Sequence, residues 1–310
     1  MARYLTARLF HGLIVVLLIS LVTFAIMRLL PGDPVFLLLG EGKIRISQEQ
    51  MEAIRNKWGL NKPYHEQYLV WIGNMFRGDF GDSLIRTGVP VRDMIFEALP
   101  VTLRLNIYAL AISLAIAIPA GILAGVRRNS LFDYAATFAS TFGVALPNFW
   151  ISLMLIVIFS LTLRLVPPFG LRSSKGYILP VIVLVTAQTA TLTRVMRSGI
   201  IEVLEEDYVR TARAKGLAER AVILDHAVRN ALLPVVTVIG MQIAFILSGT
   251  IVVETVFAIP GIGRLFTDSV FRLDYQVVQS IVFLLSFLVV VANLLTDLVY
   301  AFIDPRIHIE

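Results

Sequence analysis

The chain has 310 residues, of which 57% are hydrophobic and 16% charged, with no cysteine and a mean hydropathy of +0.80. The missing cysteines exclude a disulfide framework, a thiolate metal site and a cysteine nucleophile, and apolar residues gathered in long blocks describe a polytopic membrane protein. A net charge of +5 calls for no nucleic-acid partner, because the placement of basic residues about a membrane accounts for it.

A hydrocarbon core about 30 Å thick needs roughly 20 apolar helical residues to cross it. The first segment that long runs from Leu9 to Leu30. A cleaved leader is the rival reading, but the run exceeds an h-region of about 7 to 15 residues and no small-x-small site precedes Pro31. It reads as a membrane anchor.

The stretch from Pro31 to Pro100 then forms a large outer loop, predicted to fold as a small helical cap. Ser47 and Gln50 have capping-box spacing, Met51, Ile54 and Trp58 share a helical face, and Gly59 stands where that helix would stop. A second helix is expected after Pro63, with Tyr64, Tyr68, Trp71 or Ile72, and Met75 on one face. RGDFGDS (Arg77 to Ser83) reads as a turn-rich link to a third short helix opening at Pro90.

Five further spans follow: Val101 to Gly125, starting after Pro100 and containing Pro119; Ala136 to Leu163, containing Pro147; Ile178 to Val195; Leu233 to Val256; and Ser280 to Ile303. The intramembrane prolines predict kinks rather than breaks. The third of these spans is the most polar, with Gln188 among its threonines. Residues 1–95 thus read as first span plus cap, and 96–310 as a five-helix core with a cytoplasmic region at 198–232. Arg3, Arg8, Arg127, Arg128 and the cluster from Arg194 to Arg229 put more basic charge on the side of the N-terminus, which predicts both termini in the cytoplasm.

Between the third and fourth core spans lies a charged island, Glu205 to Pro234. Glu202, Glu205, Glu206 and Asp207 precede Arg210, Arg213 and Lys215, the order that complements a helix dipole, and Gly216 closes the helix. Glu206 and Arg210 have favourable i, i+4 spacing. Ile200, Leu204, Tyr208 and Ala212 give this helix an apolar face. A second helix is predicted from Glu219 to Asn230, with Ala221, Leu224 and Val228 on one side. Such a hairpin either lies on lipid headgroups or docks on a cytoplasmic protein, with Ala212, Ala214 and Gly216 allowing close approach. The residues alone leave both open.

DYVRTARAKGL (Asp207 to Leu217), followed by HAVRNALLPVVT (His226 to Thr237), resembles the cytoplasmic motif of permeases in binding-protein-dependent ATP-binding cassette importers, in the subfamily for peptides, glutathione or nickel. The general motif is Glu-Ala-Ala, three residues, Gly, then Leu-Pro after a gap. Arg210, Thr211 and Ala212 stand in the Glu-Ala-Ala places, and Pro234 comes later than the general spacing, as in that subfamily. LPGDP (Leu30 to Pro34), GDFGDS (Gly78 to Ser83) and VVETVFAIPGIGRL (Val252 to Leu265) are similar to the same permeases. Taken by itself, the last of these is a helix end with a turn at Pro260, Gly261 and Gly263.

The resemblance implies an all-helical membrane permease of six spans, the last five forming a MetI-like core, in a bacterial or archaeal inner membrane. It implies a paralogous second permease, an extracytoplasmic solute-binding protein, and two cytoplasmic ATPases that hold ATP and Mg, with no cofactor in this chain. The ATPase contact it implies is Glu206, Asp207, Tyr208, Arg210, Thr211, Ala212, Arg213, Ala214, Lys215, Gly216 and Leu217. The chain has no Gly-x4-Gly-Lys-Ser/Thr phosphate loop, no HExxH and no Gly-x-Ser-x-Gly elbow, so it is not expected to be an enzyme or to hold a metal.

An ion-coupled carrier or channel, or a receptor scaffold, is the competing class. Carriers place carboxylates at mid-membrane, whereas Arg28, Arg104, Glu254 and Asp297 fall near span ends. Gln188, Gln242 and Asn293 lie deeper and are the residues expected to line a polar path, if they do not serve interhelical hydrogen bonds.

Overall fold

The computed structural model describes residues 2–29, 52, 55, 61–86, 88–244 and 246–303. Among them the regular elements are helices: α1 (Ala2–Leu29), α2 (Tyr64–Phe76), α3 (Val91–Val126), α4 (Leu131–Ala145), α5 (Asn148–Leu155), α6 (Ile178–Leu204), α7 (Asp207–Ala214), α8 (Glu219–Ala221), α9 (Val228–Ala244), α10 (Ile246–Val256), α11 (Ile262–Phe271) and α12 (Tyr275–Ile303). Among the described residues five helical stretches are long and apolar enough to cross a membrane, and a sixth crossing exists if α4 and α5 count as one span. The chain divides into two compact units: residues up to Pro100 with Arg264–Val290, and Val101–Gly263 with the residues from Val291 on.

In the first unit α1 and α2 pack with the start of α12 through Val16, Phe24, Trp71, Ile72, Met75 and Phe283. Tyr68 bonds Ser20 at 2.9 Å, and Gln276 Nε2 donates to Phe80 O at 2.7 Å. Ser83 donates to Asp274, fixing the Gly78 to Ser83 turn. The apolar face expected for α2 is found, except that Tyr64 is exposed. The helix expected over 47–59, Glu52 and Arg55 apart, lies outside the described residues, as does LPGDP.

The expected third cap helix and second span are one helix. Pro100 lacks the N–H that would bond the carbonyl four residues back, but α3 continues through it, as it does through Pro119, on apolar packing that outweighs one lost hydrogen bond. Pro147 does the opposite. There the chain bends by 99° between α4 and α5, a break rather than a kink, with Leu146 and Pro147 both extended. α5 then passes into a π-helical turn over Ile156–Thr162.

α6 is the axis of the second unit, and at 27 residues it is longer than the span read from sequence. Neighbours approach it at glycines. A Cβ on Gly121 would sit 2.6 Å from Met196 Cβ, one on Gly125 2.6 Å from Ile200 Cγ2, and one on Gly199 3.1 Å from Ala231 O. Behind them lies a core of Ala117, Leu192, Met196, Ile200, Ala227, Ala231 and Val235. In lipid, where burial supplies no drive between helices, such close backbone contact is the main source of association. Gly121→Leu should therefore separate α3 from α6, lowering the yield of inserted protein and its thermal transition in detergent. An exposed Ile116→Leu change should leave both as they are.

Candidate functional site

The island folds as a compact hairpin. α6 ends at Leu204, the chain turns at Glu205 and Glu206, and α7 restarts at Asp207. Two acidic residues followed by a helix start explain the break: Glu206 takes extended geometry at the N-cap, and Asp207 sits in the first turn beside free N–H groups. The single helix expected through Gly216 is thus two. Ile200 and Leu204 belong to the membrane helix, and the buried face of α7 is Val209 and Ala212, with Tyr208 turned outward.

At its far end α7 closes in a Schellman arrangement. Gly216 N donates to Arg213 O at 3.0 Å and Leu217 N to Ala212 O at 3.4 Å, with Gly216 at φ +77°. That left-handed backbone is the reason for glycine here, since no other atom lies within 4 Å of its missing Cβ. After Gly216 the chain returns through α8 and a π-helical turn, Val222–Ala227, into α9. The extra residue per π turn shifts the register, so Val222 and Ala227 are buried and Leu224 is exposed, not the Ala221, Leu224 and Val228 face expected of a regular helix.

A small core of Val209, Ala212 and Val222 packs on Val203 and Leu204, seating the hairpin on the end of α6. Its two arms are tied by Asn230, which donates to Tyr208 Oη at 2.7 Å, and by the Arg213 fork on Glu219 at 2.8 and 3.2 Å. That carboxylate holds the Arg213 guanidinium above its ordinary pKa. Arg210 pairs with Asp207 at 3.4 Å rather than with Glu206 as expected, and both side chains are so exposed that the contact adds little. Glu206, Asp207, Tyr208, Arg210, Thr211, Arg213, Ala214, Lys215, Gly216 and Leu217 are all exposed. Ala212 alone among the expected contact residues faces inward, 6% exposed.

The base of the hairpin is braced twice. Arg128 bonds Glu205 at 3.1 Å across the surface. Deeper, the Asp133 carboxylate, 2% exposed, takes both Nε and Nη2 of Arg197, the latter at 2.9 Å, and also Asn129 N at 3.0 Å. Ser130 caps the same turn by accepting from Asp133 N. The start of α4 is thereby locked to α6 two helical turns before the hairpin.

Among the path residues read from sequence, Gln188 and Gln242 come together and Asn293 does not. The first two line a pocket of about 210 Å³ with Leu103, Asn106, Ile107, Leu110 and Ile243, whereas Asn293 lies exposed on α12. Ser113 Oγ donates to Gln188 Oε1 at 3.3 Å. Asn106, passed over in the sequence, is 5% exposed and bonds Thr102 O at 2.8 Å and Thr250 Oγ1 at 3.0 Å.

Glu254 differs from the sequence expectation in its burial. It stands near a span end as expected, in the last turn of α10, but is fully buried there instead of reaching an interface, and accepts from Thr102 Oγ1 at 2.6 Å. Thr102 Oγ1 in turn accepts from Ile262 N at 2.8 Å, so the first turn of α11 is capped from α3. Gly261 and Gly263 leave room for the carboxylate, which a Cβ on Gly261 would strike. The glutamate six residues before Pro260 in VVETVFAIPGIGRL was the signal available for it.

Two substitutions separate surface from core in the hairpin. Gly216→Ala should cost about 1 kcal/mol in strain, whereas Ala212→Trp should disrupt the packing on Val203 and Leu204. Limited proteolysis in the island should be little changed for the first and much faster for the second. Removing one partner of the Asp133 and Arg197 pair should destabilise by roughly 3 kcal/mol by leaving a buried charge alone, more than the Asp133→Asn, Arg197→Gln double change. Denaturation of the purified variants in detergent measures the difference.

The Binding-protein-dependent transport system inner membrane component family matches residues 117–309, and its N-terminal companion, the binding-protein-dependent transport system membrane component, matches residues 1–106. The oligopeptide transport system permease protein AppB of Bacillus subtilis is 43% identical over 99% of this chain and 100% of its own length. The dipeptide transport system permease protein DppB of Escherichia coli K12 is 39% identical over 94% of each. A chain from inward-facing structures of the MetNI methionine ABC transporter superposes with a TM-score of 0.58 at 14% identity, covering 68% of this chain and 96% of that one, which marks the fold over that share of the chain as MetI-like. The chain therefore belongs to the binding-protein-dependent transport system inner membrane components, the multi-pass permease subunits of ATP-binding cassette importers, in which ATP hydrolysis is the work of partner subunits.

Proposed function

We propose that this permease forms, with a paralogous second permease, the path by which peptides enter the cell, and that the hairpin at residues 205–234 is its seat on an ATPase. The observation that carries the coupling role is the hairpin itself. It is basic and exposed at its tip, closed by Gly216, and mounted on the end of the central membrane helix α6. A surface helix that merely rested on headgroups would need no such core or cross-ties. The relatives named for oligopeptide and dipeptide transport support peptides as the solute.

In this reading both termini are cytoplasmic, a solute-binding protein delivers peptide from outside, and two ATPases bind ATP with Mg. ATP favours the closed ATPase pair, and that differential affinity is the driving force. As the pair closes, each hairpin is carried with it. The packing of Val209, Ala212 and Val222 on Val203 and Leu204 passes the movement to α6, and the Asp133 and Arg197 bridge takes α4 along. Rigid helix groups then rock about the path.

Ala214→Trp places a bulky side chain on the exposed tip without touching the hairpin core. The variant should insert normally but lose ATPase co-purification and at least about tenfold of ATP-driven peptide uptake, the equivalent of one interface hot spot. Unaltered co-purification and uptake would remove the coupling role from this surface.

A further inference from the structure

Among the described residues, the lining of the pocket between α3, α6 and α9 is uncharged. Its walls are Leu103, Ile107, Leu110 and Ile243, and its polar groups are the amides of Asn106, Gln188 and Gln242. These three amides differ in what they have left to offer. Asn106 is consumed by Thr102 and Thr250. Gln188 has its oxygen engaged by Ser113, which leaves its NH2 as donor. Gln242 Oε1 is buried with no partner among the described residues. An orphaned carbonyl of this kind costs about 1 to 3 kcal/mol and is kept in a native structure for a reason, commonly a missing partner.

A ligand that completes the pocket must donate one N–H to Gln242, accept from Gln188, carry no charge at that point, and present apolar surface to the walls. A peptide group with its flanking side chain has this composition. A bare divalent cation does not fit, since the described lining residues hold no carboxylate, imidazole or thiolate. Charged peptide termini are equally unsuited, because no ion pairs with them there.

We infer that this pocket takes a backbone amide of the solute in transit, Gln242 accepting its N–H and Gln188 donating to its carbonyl. The inference rests on the peptide-import reading above and adds what the permease itself recognises: the repeating peptide group rather than any one side chain. Contact with the main chain tolerates varied sequence, and a single amide-sized pocket holds solute weakly enough to release it.

The test uses the complete transporter in proteoliposomes, with radiolabelled tri-alanine as solute. Gln242→Leu should reduce uptake on the order of tenfold, the effect of one lost buried hydrogen bond. Because the chain has no cysteine, Ile107→Cys introduces its one thiol on the pocket wall. During ATP turnover that thiol should be alkylated by haloacetyl tri-alanine, and excess tri-alanine should protect it. A wild-type transporter that takes up no peptide overturns the peptide reading and this inference with it. Wild-type uptake that Gln242→Leu leaves unchanged overturns the pocket alone. So does a thiol at 107 that peptide never reaches and that cross-links instead to the second permease or to a lipid-borne reagent.

Discussion

Close approach to α6 is the constraint on which the larger unit depends. A helix packed among others in lipid gains nothing from hiding apolar surface, so it must be held by contact at short range and by polar bridges. Glycines supply the first: Gly121 and Gly125 on α3 stand where a side chain would collide with a neighbour, and Gly143 on α4 and Gly199 on α6 itself where one would be crowded. Asp133 and Arg197 supply the second, a bridge whose carboxylate is buried and whose every acceptor site is used.

That arrangement gives α6 two roles along its length. Its midpoint carries Gln188 into the pocket, and its end carries the hairpin. Because the hairpin core is built partly from Val203 and Leu204 of the same helix, force applied at the tip cannot be absorbed by a flexible linker. The link that matters physically is therefore the last two turns of α6, where the hairpin seat, the Glu205 contact with Arg128 and the Asp133 bridge all fall.

The prolines show how little a local signal settles in a membrane. Pro100, Pro119 and Pro234 lie inside continuous helices, while Pro147 marks a 99° bend. Each removes the same hydrogen bond. The outcome depends on whether neighbouring packing continues past the proline, which is a property of other segments. Glu254 teaches the same lesson for charge: near a span end by counting, it is enclosed once Thr102 and the Gly261 to Gly263 turn close over it.

Sequence by itself determined that the chain carries long apolar helices, though not their bounds or breaks, together with the helix α2 with its Trp71, Ile72 and Met75 face, the charged island, and the glycine stop at Gly216, because hydrophobic period, charge order and positive φ are local demands. The motifs also sufficed for the family. Tertiary structure alone decided that Ala212 points inward while Ala214 stays outside, that a π turn moves burial to Val222 and Ala227, and that Gln188 and Gln242 share a pocket from which Asn293 is absent. Those facts depend on which helices meet and at what rotation, and contacts between residues some fifty positions apart leave no periodic trace in the chain.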